Sequence, residues 1–228
     1  MSGKECLHLE RRFDLGREIL KWIAIITMTI DHLGAILFPE HLVLRIIGRL
    51  AFPIFCYLIV LGVETTRNVR NYFIRLLLFA FVSQVPYYLA LGYEPFASLN
   101  IFFTLSFGIL FFIHPLLILL SISVSYLLNF DYGPYGIALI ASMYVLRKDI
   151  RNGIALIVLL NILYFFISEI QPLSLLALPI IISHKNRFIK KEKEADGNNF
   201  YPLWRKYFFY IYYPLHLTAL YIIKMSFS

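Results

Sequence analysis

Charge is scarce in this chain. Of its 228 residues, 15% are Asp, Glu, Lys or Arg and 60% are hydrophobic. A soluble domain carries roughly 25% charged residues, because its core must be covered by a wetted surface. The shortage excludes a soluble enzyme, a nucleic-acid-binding module and a disordered chain. Cysteine is scarcer still: Cys6 and Cys56 supply neither a disulfide framework nor a zinc spacing. Cys56, inside an apolar run, reads as a packing residue, and no metal site is expected. Catalytic signatures are missing too. There is no Gly-x-Ser-x-Gly turn, no His-Glu-x-x-His and no Walker loop, and Glu64-Thr65-Thr66-Arg67 offers one glutamate where a paired-glutamate protease needs two. Charge continues through Lys21, so the short charged region, apolar core and cleavage site of a removable signal are absent. No internal repeat or low-complexity segment is visible.

What the chain has instead is apolar length. A helix needs ~20 apolar residues to cross ~30 Å of hydrocarbon. On that measure the spans fall at roughly 19–38, 42–63, 72–91, 99–113, 116–130, 134–146, 153–168, 172–183 and 207–223, with His114-Pro115 as a break between two of them. The expected fold is all-α, a polytopic transmembrane bundle of about nine spans. The high aromatic content, 21 Phe and 16 Tyr, suits membrane interfaces. Basic residues stay on the cytoplasmic side. With a cytoplasmic N-terminus and an extracytoplasmic C-terminus, all but Arg45, Arg49 and Lys224 of the 21 Lys and Arg fall on inner segments. Residues 1–18 form a cytoplasmic segment, 19–228 a single transmembrane domain, and 184–203 a solvated cytoplasmic loop. The net charge of +7 then reflects inner loops facing anionic lipid, with no nucleic acid needed.

Ionisable groups at membrane depth are costly unless paired, so they mark function. Asp31 and His32 lie ~18 Å along the first span, Arg49 ~10 Å along the second, and His216 ~14–16 Å along the last. Three helices thus bring Asp31, His32, Arg49 and His216 to one depth. Neighbours on a helix point ~100° apart, so Asp31 and His32 take different partners, and Asp31 with Arg49 satisfies two charges. A histidine beside that pair suits a general base; a purely structural ion pair is the competing reading. Elsewhere, Glu64 and Arg67 suit a helical i,i+3 pair, and Asn100 and Thr104 either cap a helix or line an outer cavity. Asp131, Glu169 and the loop histidines His8, His41, His114 and His184 are expected to be solvated. Gln84 and Pro86 suggest a kinked, polar-lined helix, and Pro214 opens the backbone beside His216.

The residues in these places follow an order. Lys21-Trp22-Ile23-Ala24-Ile25-Ile26-Thr27-Met28-Thr29-Ile30-Asp31-His32-Leu33-Gly34 is followed by Leu44-Arg45-Ile46-Ile47-Gly48-Arg49-Leu50-Ala51-Phe52-Pro53. Then come Ser83-Gln84-Val85-Pro86, Tyr132-Gly133-Pro134-Tyr135-Gly136 and Tyr212-Tyr213-Pro214-Leu215-His216-Leu217. In this order they resemble the TraX family over nearly the whole chain from Lys21, with Gln84 standing where the family usually has Glu. The resemblance implies an integral membrane acyltransferase in the plasma membrane of a prokaryote. A member of that family is needed for N-terminal acetylation of conjugative pilin. It is similar to membrane acyltransferases that take acyl-CoA from the cytoplasm and modify extracytoplasmic polymers.

On that implication acetyl-CoA, or another acyl-CoA, is the co-substrate. The acceptor is a protein N-terminus or an envelope glycan. Arg67, Arg70, Arg75, Arg147, Lys148 and Arg151 are candidates for the donor's phosphates, against the plain alternative of a positive inner rim. His32 or His216 deprotonates the acceptor, Asp31 orients an imidazole, and Arg49 stabilises an oxyanion or holds Asp31. Direct transfer and an acyl-histidine intermediate both satisfy the residues. The rival classes are a transporter or flippase with the same buried charges as a proton relay, and a non-catalytic membrane chaperone.

Overall fold

A computed structural model describes residues 15–192 and 203–227. Most of the expected N-terminal segment and the central part of the 184–203 loop therefore lie outside the described residues. The described residues form helices joined by turns and short extended links, with one isolated parallel bridge between Leu99 and Phe130. In chain order they form α1 (Leu15–Ile36), α2 (Leu42–Gly48), α3 (Ala51–Thr65), α4 (Val69–Leu91) and α5 (Ile101–Ile113). These are followed by α6 (Leu117–Leu127), α7 (Gly133–Lys148), α8 (Ile150–Phe165), a 3-10 helix (Gln171–Ala177), α9 (Leu178–Glu192) and α10 (Leu203–Phe227). Three stretches are long and apolar enough to cross a membrane: Leu15–Ile36, Leu42–Thr65 and Val69–Leu91. The second of these carries the chain through α2 and α3, whose junction at Arg49 and Leu50 keeps right-handed helical backbone angles.

The apolar pattern explains the layering. Every residue of α3 from Ala51 to Gly62 is buried, as expected of a helix apolar on all faces. Helices α1, α5 and α7 pack around it, and α4, α8 and α10 extend the bundle. Helix α6 is inverted relative to a soluble helix: Ser121 and Ser125 are its buried residues, while Leu119, Leu120 and Leu127 are exposed. The Ser121 hydroxyl donates to the carbonyl of Phe107 on α5, so small polar residues mediate the helix contact and leucines face outward. Ile26, Leu78, Phe81, Val82 and Leu163 are likewise exposed, each by more than half. An apolar surface of this extent is compatible with lipid and not with water.

Sequence punctuation sets the helix ends. His114 is extended before Pro115, which terminates α5. Asn100 caps α5 by accepting from the Phe102 amide, Asn68 caps α4, and Asp149 caps α8. Gly92 closes α4 at φ 74°, a left-handed position natural for glycine. The expected span 172–183 is instead a 3-10 helix leading into α9, which continues to Glu192 across the expected start of the solvated loop. The continuation has a polar anchor: Lys185 Nζ donates to the Leu146 carbonyl at 2.6 Å. His184, also expected to be solvated, is buried beside Tyr57.

Contacts separate the two ends of the bundle. At one, Arg17 donates to Thr65, Glu64 pairs with Arg147, and Lys185 reaches Leu146. At the other, the 98–100 and 129–131 segments join, with the Leu99 amide donating to Asn129 and the Asp131 amide to Leu99.

Candidate active site

α1 delivers Asp31 and His32 to different neighbours, as one hundred degrees of helical rotation requires. Asp31 lies between two arginines of α2 and its C-cap. Arg45 Nη1 is 2.6 Å from one carboxylate oxygen, and Arg49 Nη2 is 3.1 Å from the other. Two arginines four residues apart on one helix face repel unless an anion sits between them, and Asp31 is that anion. Gly48 makes the approach possible: a Cβ there would lie 2.1 Å from the Asp31 carboxylate. Arg45, which the charge pattern places outside, is thus part of the buried cluster.

Arg49 is the more firmly held of the two. Its Nε donates to the Arg45 carbonyl and its Nη1 to Gln171 Oε1 at 3.1 Å. Gln171 in turn donates to the Tyr135 hydroxyl, which donates to Asn161 and neighbours Ser174. A buried hydrogen-bond chain therefore runs from Arg49 through the 3-10 helix and α7 to α8. Fully satisfied networks of this kind fix side-chain positions.

His32 has a different partner. Its Nδ1 is 2.7 Å from Nε2 of His216, and the ring planes are 22° apart with centroids separated by 5.0 Å. His216 Nδ1 is 2.9 Å from the Tyr212 carbonyl, one turn back along α10. A carbonyl only accepts, so His216 carries its proton on Nδ1 and presents a lone pair at Nε2. His32 must then donate from Nδ1 and keep a lone pair at its own Nε2. Asp31, both of whose oxygens face arginines, has no part in this; the group orienting the His32 imidazole is His216.

His32 opens onto a cavity of about 230 Å³ that also takes in Asp31, Arg45, Arg49, Tyr132 and Asp131. That is space for several water molecules at ~30 Å³ each. Asp131 departs from its expected place in solvent. It is half-buried on this wall, and burial pushes its carboxyl up to about 6. The turn presenting it is strained: Asn129 and Tyr132 have φ of 48° and 61°, unusual for residues with side chains. Stacking holds Tyr132 there, its ring centroid 3.8 Å from that of Phe52. Gln84 braces the same turn from α4. Its amide donates to the Ser98 carbonyl and its Oε1 accepts from Asn100, while Ser98 donates to Asn129. Thr104 donates to the Asp131 carbonyl.

None of Arg67, Arg70, Arg75, Arg147, Lys148 or Arg151 lines this cavity. Arg67, Arg70, Lys148 and Arg151 are exposed. Arg75 lies 5.2 Å from the Tyr72 ring and 5.8 Å from that of Tyr210, and Lys148 5.4 Å from that of Tyr144. Arg147 takes the partner expected for Arg67: its Nη2 is 3.0 Å from Glu64. α3 ends at Thr65, so Arg67 lies beyond the helix, the i,i+3 pair does not form, and packing of α7 on α3 supplies the partner.

Arg45 was readable from its four-residue spacing to Arg49. Asp131 and Gln171 carried no such signal, because a loop and a 3-10 helix bring them in, and Tyr135 at the start of α7 joins only through Gln171.

The family model described as TraX protein matches residues 16–224. Over 252 aligned residues the chain is 27% identical to the probable fimbrial assembly protein FimC, serogroup H1, of Dichelobacter nodosus, covering 95% of this chain and 99% of that protein. A short stretch of 41 residues is 54% identical to the uncharacterized protein RP591 of Rickettsia prowazekii (strain Madrid E), covering 18% of this chain and 16% of that one. No solved structure matches. With the match running from the start of α1 almost to the end of α10, and so through every residue of the buried cluster, the chain belongs to the TraX family.

Proposed function

We propose that this protein is a membrane acyltransferase that moves an acetyl group from cytoplasmic acetyl-CoA, or a related acyl-CoA, to an acceptor outside a prokaryotic plasma membrane. The acceptor is a pilin N-terminus or an envelope glycan. The observation that carries the reading is His32, paired with His216 behind it, opening on the charged cavity. A histidine whose proton is placed by a second histidine, with its remaining lone pair available, is a general base. A chain with a fimbrial assembly relative gives the pilin acceptor its support.

The chain crosses the membrane about nine times in this reading, α2 and α3 counting as one crossing and the 3-10 helix with α9 as another. The N-terminus is inside and the C-terminus outside. The Arg17–Thr65 and Glu64–Arg147 end faces the cytoplasm, and the cavity opens toward the other end. Arg67, Arg70 and Arg75, with Arg147, Lys148 and Arg151, form a basic rim for the donor's phosphates.

In the transfer, His32 Nε2 takes the proton of the acceptor as the nucleophile attacks the thioester carbon. Charge develops on the carbonyl oxygen. Arg45, with its side chain 28% exposed against 10% for Arg49, has N–H groups to spare for that oxygen. Arg49, held by Gln171 and Asp31, fixes the cluster in place. Collapse breaks the C–S bond, and His32 returns the proton to the departing sulfur. Acceptor N–H or O–H plus acetyl-CoA thereby become acylated acceptor and free CoA thiol.

The test is transfer of radiolabelled acetyl from acetyl-CoA in proteoliposomes, with a pilin peptide and a glycan offered on opposite sides in turn. Label on either acceptor, lost with His32→Ala, is the expected result. Proton-coupled flux of solute with no dependence on acetyl-CoA would overturn the proposal in favour of a transporter.

A further inference from the structure

The carboxylate of Asp131 takes no part in the transfer by His32 and Arg45, and its surroundings are unusual. It faces the same cavity as His32, on a strained turn braced from α4 and α5. Among the described residues no side chain donates a hydrogen bond to it, and Arg45 and Arg49 share its cavity. Asp31, by contrast, has both oxygens occupied by arginine. Three further rings share the cavity with Asp131, those of Tyr87, Tyr93 and Tyr164; Tyr132 already stacks on Phe52 and has Arg49 over its ring. A half-buried carboxylate with unused lone pairs among aromatic rings suits a small organic cation, because the carboxylate attracts its charge and a ring can offer its quadrupole.

We propose that Asp131 is the acceptor-binding residue of this site, holding the acceptor nucleophile as a primary ammonium opposite His32. The assignment rests on the acyltransferase reading for its chemical meaning, but it concerns binding and is tested without transfer. It selects amine over hydroxyl acceptors, since a hydroxyl brings no charge to offset the carboxylate. The bound ammonium yields one proton to the Asp131 carboxylate. The freed lone pair forms the N–C bond, His32 accepts the second proton, and the departing sulfur takes that proton as the C–S bond breaks. Asp131 then releases its proton to water.

The experiment uses the full chain in lipid nanodiscs with no acyl-CoA present. A dye-labelled, glycine-rich peptide with a free α-amine and the same peptide N-acetylated are titrated by fluorescence anisotropy. The wild-type protein is expected to bind the free amine about tenfold or more tightly than the acetylated form, the worth of a charge-assisted hydrogen bond. Asp131→Asn removes the preference and leaves affinity for the acetylated peptide unchanged, whereas Asp131→Glu retains the preference. A wild-type protein that binds both peptides equally, or neither, overturns the assignment, as does a preference that survives in Asp131→Asn. Preference without any acetyl transfer would strike the acyltransferase reading alone.

Discussion

Truncating His216 to alanine tests the histidine pair most directly. The substitution leaves His32 Nδ1–H, half-buried on α1, without its acceptor at 2.7 Å. Losing the partner of a buried donor costs ~1–3 kcal/mol. Applied to the reacting geometry, that is roughly a 5- to 150-fold loss of transfer rate. Removing the base itself is costlier: His32→Ala should lose ~10²–10⁴-fold. Because His216 acts through His32, the two losses must not multiply, and the double variant should match His32→Ala alone. The assay is initial rate of radiolabelled acetyl transfer in proteoliposomes at matched protein content, with the three variants measured side by side. His216→Gln, whose side-chain oxygen can accept from His32, should restore part of the rate. A larger loss for His216→Ala than for His32→Ala, or a double variant equal to the product of the singles, would refute the assignment of base and positioning partner.

Gly48→Ala drives a methyl group into Asp31, 2.1 Å from its carboxylate oxygen. We expect ~1–3 kcal/mol of destabilisation, read as a lower melting temperature in detergent; an unchanged melting temperature would mean the α1–α2 contact is looser than described. The Asp131 carboxyl sits near 6 against an ordinary 3.8, raised by burial. The folded state therefore holds this proton more tightly than the unfolded chain does. Its contribution falls as pH rises through that interval, by on the order of 2–3 kcal/mol. Asp131→Asn should flatten the corresponding part of the melting profile between pH 4 and pH 6; an unaltered profile would place Asp131 in solvent. At the other end of the bundle, Arg67→Ala and Arg70→Ala should each raise KM for acetyl-CoA about two- to fivefold. Arg147→Ala should change it less, because its guanidinium is committed to Glu64; a larger effect there would reassign the rim.

How much of the site was legible depended on what kind of element carries each residue. His32, Asp31, Arg49 and His216 lie on long apolar helices, where depth follows from a fixed rise per residue. Ionisable residues there stand out against their neighbours. Asp131 read as solvated because it follows a span and precedes Tyr132-Gly133-Pro134, a sequence that signals a turn. Nothing local shows that the turn folds inward. Glu64 illustrates the opposite error: Arg67 is a plausible partner by spacing, yet α3 ends at Thr65 and Arg147, 83 residues away, holds it.

Composition and hydrophobic periodicity were enough to point to helices with a lipid-compatible surface, as the described residues have, and to set four polar residues at one level of the bundle. Both depend on short-range quantities: transfer cost per residue and helical rise. Which histidine holds the other's proton, why two arginines share one carboxylate, and how Asp131 enters the cavity are matters of long-range approach. They arise from Gly48 admitting Asp31, from the Tyr212 carbonyl setting the His216 proton, and from a left-handed turn held by Tyr132 on Phe52. No pattern along the chain encodes such contacts, because the groups that make them are distant in sequence and meet only when the helices pack.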